Sequence, residues 1–164
     1  RFAIGSNGVI RLKKGNDVNI QIVNKQKTLK LSKPAIKKIV RETIRFEKEF
    51  CDEVTIHFIT NEEMCNLHAE FFNDPSPTDC ISFPMDDNDE EYRVLGEIFV
   101  CPETAVTYTK KKGGNPYLET TLYIIHGLLH LMGYDDIHKK DRINMRTAEK
   151  KHLDHLAQLG LLLN

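Results

Sequence analysis

The segment Y-I-I-H-G-L-L-H-L-M-G, residues 123–133, constrains the fold of this chain more than any other part of its sequence. It is apolar enough to form a buried helix, yet it carries His126 and His130, where unpaired polar groups are costly. Their spacing of four places both imidazoles on one face of a helix, about one turn apart. Gly133 accepts the left-handed conformation that often ends a helix, so the acidic turn Y-D-D-I-H can fold back beside the pair.

This arrangement predicts a metal site. Asp136, in the turn, is the best-placed third ligand, and His138 is the alternative. Two imidazoles and a carboxylate, with a fourth position open to water, form a common catalytic zinc set. Zinc bound in this way lowers the pKa of water toward neutrality. We therefore expect one zinc ion per chain, held by His126, His130 and Asp136, and we expect these residues to be the catalytic ones.

The same spacing is similar to the zinc motif of the metzincin proteases, in which a glutamate follows the first histidine and acts as general base. Gly127 stands at that position here. A metallopeptidase is therefore disfavoured, although the metal geometry is retained.

Length and composition predict one ordinary domain. The chain has 164 residues, is 40% hydrophobic and 29% charged, and carries a formal net charge of −1. No apolar run approaches the roughly 20 residues of a membrane span, and no signal peptide is visible, which favours a cytoplasmic protein. The four cysteines are too widely spaced for a disulfide framework or a cysteine zinc site. Residues 1–17 are interpreted as an extension or cloning remnant, and residues 18–164 as the domain.

The order of predicted elements indicates an α/β (α+β) fold, with a mixed sheet of about four strands packed by about five helices. Alternating or apolar segments predict strands at 18–24, 53–60, 78–84 and 93–100, the last two forming an antiparallel hairpin. Helices are expected after Ser32, over 61–72, from Pro102, from Pro116 to Gly133, and from about Lys139 to Leu163. Leu118 is placed on the inner face of the fourth helix, and Ile143 and Leu159 on that of the fifth.

A longer pattern resembles a known family. H-G-L-L-H-L-M-G-Y-D-D, preceded by P-T-D-C-I-S-F-P and L-G-E-I-F-V, resembles the YbeY family of bacterial endoribonucleases, the ribosomal RNA maturation factors, and the similarity runs from about Val18 to Leu159. The resemblance implies a zinc-dependent endoribonuclease, specific for single strands. It implies a role in maturation of small-subunit ribosomal RNA and in ribosome quality control. It also implies an α/β fold with the metal at one end of a cleft.

Carried over position by position, the family's ligands fall on His126 and His130, and the third, usually histidine, falls on Asp136. Thr78, Asp79 and Ser82 match the family's cleft-lining strand, although turn capping accounts for them equally well. Glu97 matches an acidic position in the following strand, where an ordinary exposed carboxylate is the alternative. Phe72 stands where the family commonly has an arginine. Either another cation acts on the phosphodiester, with Lys110 to Lys112 or Arg142 as candidates, or activity is low.

The implied partner is single-stranded ribosomal RNA, with small-subunit ribosomal proteins as further partners, and neither DNA nor membrane is expected. Phosphate contacts are expected from basic side chains, for which a solvated basic face is the alternative; those named are Lys37, Lys38, Arg41, Lys110 and Lys111. The rival function is a ribosome-associated RNA-binding protein whose metal is structural.

Overall fold

The computed structural model describes residues 18–85 and 91–164, and the backbone of two short strands in the N-terminal segment. Those strands, β1 (Phe2–Ile4) and β2 (Ile10–Leu12), pair antiparallel as a separate two-stranded sheet.

A four-stranded mixed sheet forms the centre of the fold. Its strands are β3 (Asn19–Asn24), β4 (Glu53–Phe58), β5 (Cys80–Pro84) and β6 (Val94–Val100). Their order across the sheet is β3-β4-β6-β5. The first three in this order run parallel, whereas β5 pairs antiparallel with β6. The predicted hairpin and the mixed α/β sheet are therefore confirmed.

Five helices follow the predicted order. They are α1 (Lys33–Phe46), α2 (Asn61–Phe72), α3 (Pro102–Lys112), α4 (Pro116–Leu131) and α5 (Lys139–Gln158). The Ser32 hydroxyl caps α1 as expected by accepting a hydrogen bond from the backbone N–H of Ala35. Within the described residues, no helix meets the length and apolarity needed to cross a bilayer.

Helix α4 lies in the core, where it packs against β5, β6 and the helices α1, α3 and α5. It lies close to the sheet at Gly127. A Cβ at this position would lie 2.7 Å from Cys80 Sγ and 3.1 Å from Ile98 Cγ2. The Ser82 hydroxyl donates a 3.0 Å hydrogen bond to the Gly127 carbonyl. The absence of a side chain at position 127 therefore allows α4, the helix that carries His126 and His130, to lie directly on the sheet.

The predicted inner faces of α4 and α5 were partly wrong. Leu118, Ile143 and Leu159 are 41%, 53% and 50% exposed. The inner stripe of α5 runs instead through Met145, Ala148, His152 and Leu156, which are all buried. Because His152 is polar, a prediction that used only apolar residues left it out and placed the buried face of α5 at the wrong angle around the helix. His152 tolerates burial since its Nε2 lies 2.7 Å from the Glu47 carboxylate.

Candidate metal centre

Three side chains converge at the C-terminal end of α4. The Nε2 atoms of His126 and His130 lie 3.1 Å apart. Oδ2 of Asp136 lies 3.5 Å from the first and 3.3 Å from the second. A tetrahedral zinc ion about 2.0–2.2 Å from each ligand atom places those atoms about 3.3–3.6 Å apart. Both distances to Asp136 lie in this range, and the 3.1 Å between the two histidines is slightly shorter, so the donor set fits one such ion after a small movement of the rings.

The turn after α4 brings Asp136 to the two histidines. Gly133 has φ +99°, the left-handed conformation expected of it, and its N–H donates to the His130 carbonyl. The Tyr134 N–H donates to the Leu129 carbonyl, and its hydroxyl donates to the Glu47 carboxylate at 3.2 Å. The turn is thus attached to its own helix and to the segment that follows α1.

A carboxylate from α5 supports the first histidine. Oε1 of Glu149 lies 2.8 Å from Nδ1 of His126. A proton on Nδ1 donated to this carboxylate leaves Nε2, the atom that faces Asp136, free to bind a metal. Burial lowers the pKa of His126, but the hydrogen bond and charge of Glu149, with the charges of Asp79 and Asp136, outweigh it and raise that pKa. Glu149 was not predicted from the sequence, because only its position beside the inner stripe of α5 distinguishes it from other charged residues of that helix.

A pocket of about 260 Å³ adjoins the three converging side chains. It is lined by Asp79, Leu122, Tyr123, His126, Asp136, Arg142, Met145, Arg146 and Glu149. The pKa of the nearby Glu119 is raised, mainly by burial and also by the charges of Asp79 and Glu149. A hydrogen bond with Tyr123 opposes this shift but does not cancel it. The site therefore combines a metal-binding group with a strongly acidic wall and two arginines.

The other residues expected in the cleft are placed differently. Ser82 faces α4 and bonds to its backbone. Thr78 contacts Asp79 through its hydroxyl, and its carbonyl accepts a hydrogen bond from the Thr104 hydroxyl. Glu97 lies on the opposite face of β6 from Ile98, the residue that meets α4, and its carboxylate lies 3.0 Å from Nε2 of His57. Of these predicted residues, only Asp79 lines the pocket.

Of the basic residues expected to contact phosphate, Arg142 lines the pocket, whereas the five named for the RNA backbone do not. Lys37 and Lys38 on α1, and Lys110 and Lys111 on α3, are exposed, and Arg41 is half-buried. Phe72, at the end of α2, is 56% exposed. His138, the alternative third ligand, is the exposed residue before α5 and is not part of the metal-binding group found among the described residues.

The fold and site together define an α/β protein in which two histidines and one aspartate, beside an acidic pocket, could hold a metal ion. Residues 21–157 match the family described as Endoribonuclease YbeY. The Endoribonuclease YbeY of Protochlamydia amoebophila is 50% identical over 147 residues, 89% of this chain and 98% of the relative. That of Chlamydia caviae is 34% identical over 152 residues, 90% and 96% of the two chains. The chain therefore belongs to the YbeY family of endoribonucleases.

A solved structure agrees with this assignment at the level of the fold. The solution structure of TM1509 from Thermotoga maritima superposes with a TM-score of 0.62 at 28% sequence identity. The match covers 83% of this chain and 87% of that one.

Proposed function

We propose that this chain is a zinc-dependent endoribonuclease that hydrolyses single-stranded RNA. Its role is maturation of small-subunit ribosomal RNA and ribosome quality control in the bacterial cytoplasm, with ribosomal RNA and small-subunit proteins as partners. Residues 18–164 form the catalytic domain. The observation that carries the proposal is the convergence of three ligand atoms within 3.5 Å, beside a pocket, in a member of this family.

Each residue has a distinct task in this mechanism. His126, His130 and Asp136 hold one zinc ion, and Glu149 fixes the tautomer and orientation of the His126 ring. When bound, zinc supplies Lewis acidity that makes water a competent nucleophile near neutral pH. Asp79, on the same pocket wall, accepts a hydrogen bond and then a proton from the attacking water. The water oxygen forms the new bond to phosphorus while the bond to the leaving oxygen breaks, and the proton held by Asp79 passes to that leaving oxygen.

An aspartate as third ligand changes the Lewis acidity and the preferred identity of the bound metal ion, but it leaves the proposed mechanism the same. Carboxylate oxygens bind zinc at nearly the same distance as imidazole nitrogens. The added negative charge makes the ion a weaker Lewis acid and moves metal preference toward harder ions.

Metal content and RNA cleavage test the proposal together. Purified protein is expected to contain about one metal per chain, measured by elemental analysis, and the His126→Ala variant to contain none. The matched control is His138→Ala, which should retain the metal because His138 lies outside the ligand group. Cleavage of ribosomal RNA should be abolished by a chelator and restored by zinc.

Two results would contradict the proposal. Metal at full occupancy without cleavage of RNA would favour the RNA-binding protein with a structural metal. Cleavage of casein would favour a peptidase. The second outcome is disfavoured because position 127 faces the sheet, so a residue there points away from the pocket.

A further inference from the structure

The acidic wall of the pocket raises an electrostatic problem for a polyanionic substrate. Asp79, Asp136 and Glu149 all line it. Three carboxylates outweigh a divalent cation by one charge, so the metal alone leaves the pocket negative. Phosphodiester cleavage needs positive charge where negative charge develops in the transition state. Some other cation must therefore act in this pocket.

One face of α5 carries two guanidinium groups into it. Arg142, Met145, Arg146 and Glu149 are spaced as i, i+3, i+4 and i+7, which places them along one stripe of the helix. All four line the pocket. Met145 is 1% exposed and Glu149 contacts His126, so the orientation of this stripe is fixed at two points. Adding two permanently charged arginines turns the balance of the metal-loaded pocket positive.

The two arginines are bonded differently. Nη1 of Arg142 donates a 2.6 Å hydrogen bond to the carbonyl of Ile137, the residue after Asp136. Arg142 is thereby tied to the turn that carries the third ligand. Arg146 makes no hydrogen bond or ion pair to a protein group within residues 18–85 and 91–164, so its donors are free for a ligand.

We propose that Arg146 binds the scissile phosphate and neutralises the charge that develops on its non-bridging oxygens, and that Arg142 is a positioning residue for the turn of Asp136. This inference rests on the proposed endoribonuclease function. The planar fork of a guanidinium matches two phosphate oxygens at once, which a lysine ammonium does not. Arg146, on α5, would thus supply the positive charge that Phe72, on α2, cannot supply.

Cleavage kinetics of the zinc-loaded protein on a single-stranded RNA oligonucleotide test the role of Arg146. Arg146→Ala should lower kcat about 10²- to 10³-fold while metal content is unchanged. Arg146→Lys should recover part of the loss, and free guanidinium ions should partly rescue Arg146→Ala. Lys151→Ala is the matched control. This substitution also removes one positive charge from α5, but Lys151 lines a different pocket. Arg142→Ala should instead weaken metal binding together with cleavage.

Binding supplies a readout that is independent of catalysis. Zinc-loaded protein and a labelled, non-hydrolysable analogue of the same RNA are titrated by fluorescence anisotropy at several salt concentrations. Loss of one phosphate contact should make the slope of log K against log salt shallower by about 0.7 in Arg146→Ala and leave it unchanged in Lys151→Ala.

The outcomes separate this inference from the proposed function. If wild-type protein cleaves RNA and Arg146→Ala matches Lys151→Ala in kcat and in salt slope, the assignment of Arg146 is overturned. It is overturned too if Arg146→Ala loses its metal. If wild-type protein cleaves no RNA, the proposed function fails, while the salt slopes still report whether Arg146 contacts phosphate.

Discussion

Glu149 is not a ligand in the proposed metal site, yet we expect it to control how tightly that site holds a metal ion. Its carboxylate lies 2.8 Å from the ring nitrogen of His126 that points away from Asp136. A ligating imidazole held in this way keeps one tautomer and one ring orientation, which favours metal binding. The side chain of Glu149 is only 16% exposed, so few water molecules are available to replace it.

We expect Glu149→Gln to lower zinc affinity about 10- to 100-fold without abolishing binding, because all three ligands remain. Competition with a chromophoric chelator measures the change. Asp154→Asn, which removes an exposed carboxylate from the same helix, serves as control and should bind zinc like wild type. Equal affinities for both variants would show that Glu149 does not orient His126.

At the scale of elements, the close packing of α4 on β5 and β6 decides what chemistry the histidine helix can support. Gly127 follows the first histidine and meets Cys80 and Ile98, whereas His126 faces the pocket. The position that carries the general base in the metzincin motif is thus occupied by a contact between helix and sheet. The glycine is explained by packing and not by catalysis.

Gly127→Ala should lower the free energy of unfolding by about 1–3 kcal/mol, because the new methyl group would lie 2.7 Å from Cys80 Sγ and 3.1 Å from Ile98 Cγ2. Urea denaturation measures the loss. The double variant with Cys80→Ala opens space for the methyl group and should recover part of it, which a double-mutant cycle quantifies. A coupling energy near zero would contradict this account.

Across the whole molecule, polar pairs join α1 to α5 around the core. Nε2 of His155 lies 2.7 Å from Oε1 of Glu42, and His152 makes the equivalent contact with Glu47, just after α1. The hydrogen bond from Arg45 lowers the pKa of Glu42, burial opposes this shift, and the hydrogen bond with His155 adds to it. The ionised carboxylate is therefore favoured in the folded state.

This shift predicts how stability changes with pH. A carboxyl group whose pKa is depressed by folding stabilises the fold above its unfolded pKa of about 4.3, and this contribution is lost as pH falls through the folded pKa. At pH 7 we expect Glu42→Gln to be less stable by about 1 kcal/mol, a modest value because Arg45 is half-exposed and screened by solvent. Urea denaturation between pH 7 and 3 should show the difference shrinking below about pH 4.

A matched carboxylate isolates the effect. Glu70→Gln, which removes an exposed carboxylate from α2, is the control and should have nearly the stability of wild type at pH 7. A difference for Glu42→Gln that persists at pH 3 would show that lost packing, rather than lost charge, explains the destabilisation.

Local physics was enough to predict much of this protein from its sequence. Helical geometry alone placed His126 and His130 on one face, and Gly133 marked the turn that brings Asp136 back to them. The alternation of apolar residues and the order of elements predicted the mixed sheet and its five helices. These features depend on neighbours a few residues apart, whose relation is set by backbone conformation.

Only the tertiary structure decided which distant side chains share the pocket. Glu149 and Arg146 line the pocket with His126 because α5 turns a different face, which includes Met145 and His152, toward the core, and Glu97 faces away because β6 presents Ile98 to α4. Such placements depend on how helices and strands far apart in sequence pack together. The spacing of residues along one element does not determine which face of that element its neighbours will cover.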